Sequence, residues 1–491
     1  MKNDLLIIGS GLGGLECANF LAACGLCVLV LEREGQHGGC MQSFVRRGFH
    51  FDTGLHYIGG LGPGEPLQQP FQVLGLDKLP WQRLDIDGFD LITLGDRTFR
   101  LAQGFDRFID TLTADFPRER SGLQQYVKTL RQSDSEQSES LSPGSDSNLL
   151  LSPSFTTGAW DYLNTIIHDP TLVDVLSGNA TRMELCRTSL PLFVFAHTNS
   201  SFVQSSWRLR GDGNILVKAL VDRLRQQGGD VICNAQVDEL VIRDGRVAAA
   251  RCTDGTEYEA STFISDVHPA QTFSWVRQKH ALRSVVRHRV NAMANTRGML
   301  TVQLLLKADT LPYFNHNYFV YRKGVSPWDL PLDDGTVGGV MVSCRVPEDG
   351  STYTRQVDIL TPMAIDACRP WIDTTVGRRG DDYLRFKDAQ ADACLALAEI
   401  AVPGLRDAIE ARYVSTPLTW RDYTLTPDGS AFGTRKDYHS PLLTTLSPRT
   451  AIPNLFLTGQ SVMLQGVQGV TMTAMLTVGA STAGPSPGPP L

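Results

Sequence analysis

The turn Gly9-Ser10-Gly11-Leu12-Gly13-Gly14 lies between the apolar run "DLLIIG" and "LGGLECANFLAACG", which has helical spacing. The next stretch, "CVLVLE", reads as a buried strand, so residues 4–32 form a βαβ unit. A GxGxxG pattern is informative only in that context, between a strand and a helix. Gly9 permits the tight turn, Gly11 lets backbone approach a pyrophosphate, and Gly14 lets the helix pack on the sheet. The free N–H groups and positive dipole end of the helix then meet the anion. Glu32, ending the second strand, is placed to accept from ribose hydroxyls, and a carboxylate there disfavours a 2′-phosphate and so NADP.

The following residues decide between the remaining dinucleotides. "REGQHGGCMQSFVRRGFHFDTGLHYIGG" carries the Gly38-Gly39 doublet and the turn "FDTG". A second glycine-rich turn suits a cofactor whose far half folds back over the protein, which favours FAD over NAD. A formal net charge of -7 argues against nucleic acid as a partner, since phosphate binding needs a basic field. The ten cysteines are scattered, and Cys24 and Cys27 form a CxxC with no second pair at zinc spacing, so they read as packing residues and no metal is expected. The N-terminal apolar run is broken by glycines and Glu16, and no other window offers eighteen uncharged apolar residues. A cytoplasmic protein, or one peripheral to the inner face of a membrane, is the expectation.

Two further regions share the character of the first. "GNILVKALVDRLRQQGG" is an amphipathic helix, followed by alternating strands whose turns are "RDGR" and "TDGT". "AIPNLFLTGQSVMLQGVQGVTMTAMLTVGAS" again reads as strand, glycine-rich turn and helix. The expected fold class is α/β: a Rossmann-like nucleotide-binding domain built from residues 1–60, 205–270 and 425–482. A discontinuous α+β substrate domain, 61–204 and 271–424, is inserted into it twice. The serine-rich stretch 133–154 is expected to be a flexible excursion and 483–491 a disordered tail.

The blocks "GSGLGGLECANFLAACGLCVLVLE", "GFHFDTGLHYIGG", "GDGNILVKALVDRLRQQGGDV", "STPLTWRDYTLTPDGSAFG" and "NLFLTGQSVMLQGVQGV" span nearly the whole chain. In that order they resemble the FAD-dependent carotenoid and retinoid oxidoreductases (phytoene desaturases, carotenoid isomerases and retinol saturases), a group related to flavin amine oxidases. "FDTGLHYIGG" with "LFLTGQ" is similar to the retinol saturase branch. The resemblance implies that Gly9, Ser10, Gly11, Gly14, Glu32, Gly39 and Met41 contact the adenosine and pyrophosphate side of FAD. It implies that Val237, in "NAQVDEL", meets the adenine through its backbone. The turn Gly459-Gln460 and a helix beginning near Val470, with Gly469 beside it, would aim N–H groups at the flavin edge that gains negative charge on reduction.

No Ser/His/Asp order, metal-ligand cluster or phosphate P-loop accompanies these motifs. His56 and Tyr57, in "GLHYIGG", are the polar pair nearest the expected flavin face and the candidates for proton donor or positioner. Asp52 is expected to fix the "FDTG" turn, and Arg182, Glu184 and Tyr423 are weaker candidates. The implied reaction is hydride transfer between flavin and a hydrophobic isoprenoid polyene, saturating a double bond of a retinol-like substrate. The alternatives are a carotenoid desaturase or isomerase, an amine oxidase, and a flavin-binding module without turnover. One dinucleotide turn is visible and FAD occupies it, so the sequence names no electron donor or acceptor. A lipid-borne substrate implies contact with a membrane surface, for which "SLPLFVFAH" (Ser189 to His197) is a candidate mouth, with an ordinary core strand as the competing reading.

Overall fold

A computed structural model describes residues 3–141, 149–179, 181–278, 280–347 and 350–482. Its first sheet runs, in spatial order, Asp230–Ile232, Val28–Leu31, Asn3–Ile8, Glu257–Ser265, Arg246–Cys252 and Val237–Arg243, with Leu455–Leu457 also paired to Glu257–Ser265. The central strands are parallel, and Ile7, Val30 and Ile264 are fully buried, as strands covered on both faces require. The helix Leu12–Ala23 packs on this sheet between the helices Gly213–Gln226 and Gly466–Thr482. Asn19 donates to the Leu220 carbonyl at 3.0 Å and pins two of these helices together. The hairpin Asp244-Gly245 has both residues at positive φ, the turn that an Asp-Gly pair between two strands demands.

A second seven-stranded sheet orders as Ile409–Ser415, Gly298–Leu306, Gln356–Met363, Gly339–Cys344, Asn317–Tyr321, Asp90–Leu94 and Arg97–Leu101. All nine residues of Gly298–Leu306 are buried, and the helix Asp381–Ala401 lies across the sheet. On this placement we propose that the two-lobe division of 1–60, 205–270 and 425–482 against 61–204 and 271–424 marks the domains. The lobes are stitched by the hairpin Ser43–Arg46 and Phe49–Asp52. From the second sheet, Gln303 donates to the Asp52 carbonyl at 3.0 Å and Gln356 to the His50 carbonyl at 2.6 Å.

Two expectations are corrected. The serine-rich stretch 133–154 is not an excursion throughout: a helix runs Arg120–Leu141 and a 3-10 turn covers Leu149–Leu151, while 142–148 and the tail 483–491 lie outside the described residues. Serine hydroxyls here bond back to carbonyls one turn earlier, and Asp134 accepts from Ser200 and Gln204, so tertiary contacts override low hydropathy. The stretch Ser189 to His197 is no surface mouth. From Leu192 it is helical, and Phe193 stacks on Phe155 with its ring wholly buried. Truncating Phe193 to alanine should therefore lower unfolding stability by about 3–5 kcal/mol, read as a shift in the urea midpoint. A variant of unchanged midpoint would place this ring outside the core.

Candidate active site

The helix Leu12–Ala23 starts at Gly11, where no side chain caps its first N–H groups. The helix Gly466–Thr482 packs alongside it, so both helix starts open into one cavity of about 330 Å³. Of the cofactor residues expected from the sequence all but Gly14 line this cavity, as do His56 and Tyr57. Gly14 instead packs against the Gly9 carbonyl, with no room for a Cβ, which is the helix-to-sheet contact its position called for. The last helix begins at Gly466, four residues before the expected start near Val470, so Gly469 and Val470 sit inside it.

One end of the cavity is organised by Glu32. Its carboxylate accepts from Ser10 N at 3.1 Å, Ser10 Oγ at 2.5 Å and Glu34 N at 2.8 Å. Ser10 Oγ in turn accepts from Gly38 N at 3.1 Å, tying the second glycine turn to the first. A Cβ on Gly39 would stand 3.0 Å from Gly11 Cα, and one on Gly13 would stand 3.1 Å from Gly459 Cα. Three glycine turns thus meet at backbone distance, and Gly9, Gly38, Gly39 and Gly459 all have positive φ. The cradle fits a dinucleotide: a carboxylate for ribose at one end, an uncapped helix start for the pyrophosphate, and a second helix start beyond.

Sequence reasoning missed Asp266, the residue after the strand Glu257–Ser265. Its carboxyl fills the space behind Gly11, Gly13 and Gly459, where any Cβ would collide with it. Burial pushes its pKa up to about 7, against the Gly14 N–H that it accepts. Glu16, one turn into the first helix, is fully buried and pushed up to about 8 by the same cause. Thr471 Oγ1 lies 2.8 Å from Glu16 Oε1 and 2.9 Å from the Val467 carbonyl. The Thr471 hydroxyl donates to Glu16, which pulls the pKa down without cancelling the effect of burial.

The other end of the cavity is walled by Met299, Met341, Leu360 and Phe432, with His56 and Tyr57 between the two ends. The Tyr57 hydroxyl accepts from Arg182 Nε at 2.6 Å and donates to Asp90 Oδ2 at 3.1 Å, and burial raises its pKa. Arg182 pairs with Asp90 and lies 3.9 Å from the Phe202 ring centre and 5.1 Å from that of Tyr57. The phenol is therefore fully engaged by the wall. His56 differs: both ring nitrogens are buried without a hydrogen-bond partner, and Nδ1 lies 3.3 Å from Asp358 Oδ2. Asp52 accepts from Gly213 N at 2.7 Å and pairs with Arg345, so it does more than fix its turn. Glu184 holds Arg297 and Arg435, away from the main cavity, and Tyr423 sits at its rim, half exposed. Among the described residues no cluster suits a metal ion.

Comparison with known proteins bears on this geometry. A model of the NAD(P)-binding Rossmann-like domain matches residues 7–74. The zebrafish (Danio rerio) all-trans-retinol 13,14-reductase is 25% identical over 97% of this chain and 85% of its own length. A chloroplastic prolycopene isomerase of an Oncidium hybrid cultivar is 24% identical over 96% and 82%. Among solved structures, an oxidoreductase from Methanosarcina mazei superposes with a TM-score of 0.66 at 16% identity, covering 97% of this chain and 99% of the other. A putrescine oxidase bound to putrescine gives 0.65 at 14%, covering 98% of each. The likeness to these structures is one of fold.

The two buried acids generate a stability prediction. Their pKa values are raised in the folded state, so between the ordinary carboxylate range and about 7–8 the folded protein binds more protons than the unfolded chain. Stability from these groups is lost as pH rises through that window, by up to about 4 kcal/mol for each group. Glu16→Gln should flatten the decline in urea midpoint between about pH 5 and pH 8. Parallel curves for variant and wild type would mean that Glu16 is already ionised.

Proposed function

We propose, for a chain that belongs with the carotenoid and retinoid oxidoreductases, an FAD-dependent hydride transfer that saturates one double bond of a retinol-like polyene. Bound FAD supplies the two-electron hydride carrier. The observation that carries the reading is the single cavity, which runs from Glu32 across the glycine turns to an apolar wall. In this reading Glu32 holds the ribose hydroxyls, and the starts of Leu12–Ala23 and Gly466–Thr482 face the pyrophosphate and the flavin. Gly9, Ser10, Gly11, Gly39, Met41, Val237, Gly459, Gln460, Gly469 and Val470 line the rest. Gly14 serves by packing.

His56 is the proposed proton donor, because both of its ring nitrogens are buried on the cavity wall and unspent and, unlike His197, it has a carboxylate, Asp358, 3.3 Å from Nδ1. Tyr57 is a wall residue whose hydroxyl orients Arg182. The homologous prolycopene isomerases support a second reading, in which the same lobe and wall act on a carotenoid. An amine substrate fits less well, because the aromatic cluster of Tyr57 and Phe202 already surrounds the Arg182 guanidinium.

The purified protein should be yellow and release FAD on denaturation, identified by chromatography. Its anaerobically reduced flavin should be reoxidised by all-trans-retinol or a carotenoid and not by putrescine. Reoxidation by neither polyene would remove both readings, and a response to the amine would reverse the order of preference.

Among the described residues no helix is long and apolar enough to cross a membrane. For substrate entry we place membrane contact on another face than the one expected. Residues 267–308 contain no Asp or Glu and include Arg277, Arg283, Arg287 and Arg289 in a chain of net charge -7. Arg289 donates to the Thr445 carbonyl, which brings the helix Ser284–Ala292 beside Pro441–Thr444. Val285, 66% exposed, and Leu443, 59% exposed, form an apolar fringe to this basic surface. Wild-type protein should co-sediment with vesicles of anionic phosphatidylglycerol more than with phosphatidylcholine, and Val285→Asp with Leu443→Asp should abolish the difference. Equal sedimentation by wild type and double variant would exclude this face.

A further inference from the structure

Around His56 lies a group of buried side chains whose polar atoms are not all used. Asp358 Oδ1, Arg345 Nε, Gln303 Oε1 and Thr301 Oγ1 find no hydrogen-bond partner, like both nitrogens of His56. Each such orphan calls for an explanation, and these five residues surround one point. Gln303 stands directly opposite Asp358 in the pairing of Gly298–Leu306 with Gln356–Met363, and Thr301 is two residues along the same strand face. Asp358 is 3% exposed, and Arg345 reaches it at 4.0 Å while binding Asp52 at 2.6 Å. Burial works against the Arg345 charge, yet Asp52 and Asp358 outweigh it and raise its pKa, so the guanidinium stays charged beside both acids.

A lobe-joining ion pair needs only Arg345 and Asp52. Asp358 is additional: it brings a second carboxylate into the sheet interior, at a desolvation cost that the 4.0 Å contact with Arg345 does not offset. Its nearest titratable neighbour on the cavity side is His56 Nδ1, at 3.3 Å, short of a formed hydrogen bond. Catalytic hydrogen bonds of this kind often tighten only with ligand in place.

We propose that Asp358 is the positioning residue for His56: it takes the Nδ1–H and turns Nε2 toward the substrate cavity, with the Arg345 guanidinium 4.0 Å away. This rests on the reading of His56 as proton donor. In that role Nε2 passes its proton to one carbon of the double bond while the neighbouring carbon receives hydride from a reduced flavin. The imidazolium becomes neutral imidazole and regains its proton from water. Asp358 neither gives nor takes the transferred proton and acts by orienting the ring, as the carboxylate of a Ser-His-Asp triad does.

The test uses full-length, cofactor-loaded protein with 15N-labelled histidine, and long-range ring spectra taken at about pH 8.5, above the ordinary histidine range. His56→Gln identifies the signals. In wild type the His56 Nδ1 should carry the proton, and in Asp358→Asn its resonance should move toward the unprotonated range while those of His197 and His268 stay fixed. The same variant should slow polyene-dependent reoxidation of the flavin by roughly 10²-fold with little change in KM, and Asp358→Glu should recover part of the rate. If Asp358→Asn does not fold, Asp358→Ser gives the same reading. A His56 ring signal unaltered by loss of the carboxylate overturns the proposal even if retinol is a substrate. A shifted tautomer upholds the positioning even if no polyene reacts, in which case only the proposed substrate fails.

Discussion

The close approach of three glycine turns is the constraint on which the rest of the structure depends. Gly9 to Gly14, Gly38-Gly39 and Gly459 come from the beginning and end of the chain, and their backbones meet at distances that leave little room for a side chain. That contact sets the angle between the helices Leu12–Ala23 and Gly466–Thr482 and so aims both helix starts at one cavity. Asp266 sits at the centre of the meeting, with its carboxyl against Gly11, Gly13 and Gly459 at once. A negative charge there would compete with the anion that the helix starts are built to receive. A carboxyl whose pKa is pushed to about 7 relieves that conflict while still accepting from Gly14 N.

From this centre the chain builds outward through hydrogen bonds that cross between sheets. The hairpin Ser43–Asp52 is the hinge of that construction. It begins just after the second glycine turn, receives Gln303 and Gln356 from the second sheet, and ends at Asp52, which holds both the start of Gly213–Gln226 and Arg345. His56 follows four residues later, so the candidate proton donor is positioned by the element that joins the lobes. A small shift between the lobes would therefore reach His56 before it reached the dinucleotide cradle. Tyr57, the next residue, is fixed separately by Arg182 and Asp90.

How much of this was legible in the sequence follows from the range of the interactions. The βαβ unit, the Asp-Gly hairpin and the amphipathic helix Gly213–Gln226 are set by local spacing and turn chemistry, and the sequence reading located all three. The residues lining the cavity were legible too, because glycine at a turn reports a backbone requirement within a few residues. Asp266, Asp358 and Arg345 were not, since each acts on a partner hundreds of residues away and lies in an unremarkable context. The serine-rich helix end misled for the opposite reason. Its composition signals disorder, but Ser133 and Gln137 are buried, and Gln137 accepts from Gln468 of the last helix.

The contrast between His56 and Tyr57 shows what geometry adds to a motif. In "GLHYIGG" the two are equivalent candidates, since either could give a proton. In the fold the phenol donates its one proton to Asp90 and its oxygen accepts from Arg182, and burial raises its pKa, so both sides of the hydroxyl are spent on the wall. The imidazole has a carboxylate on one side and cavity on the other, and no formed hydrogen bond at either nitrogen. A group that must give up a proton during a reaction cannot have that proton committed to the wall. By that criterion His56 is the better proton donor of the two, and we propose that the sheet carrying Asp358 is what aims it.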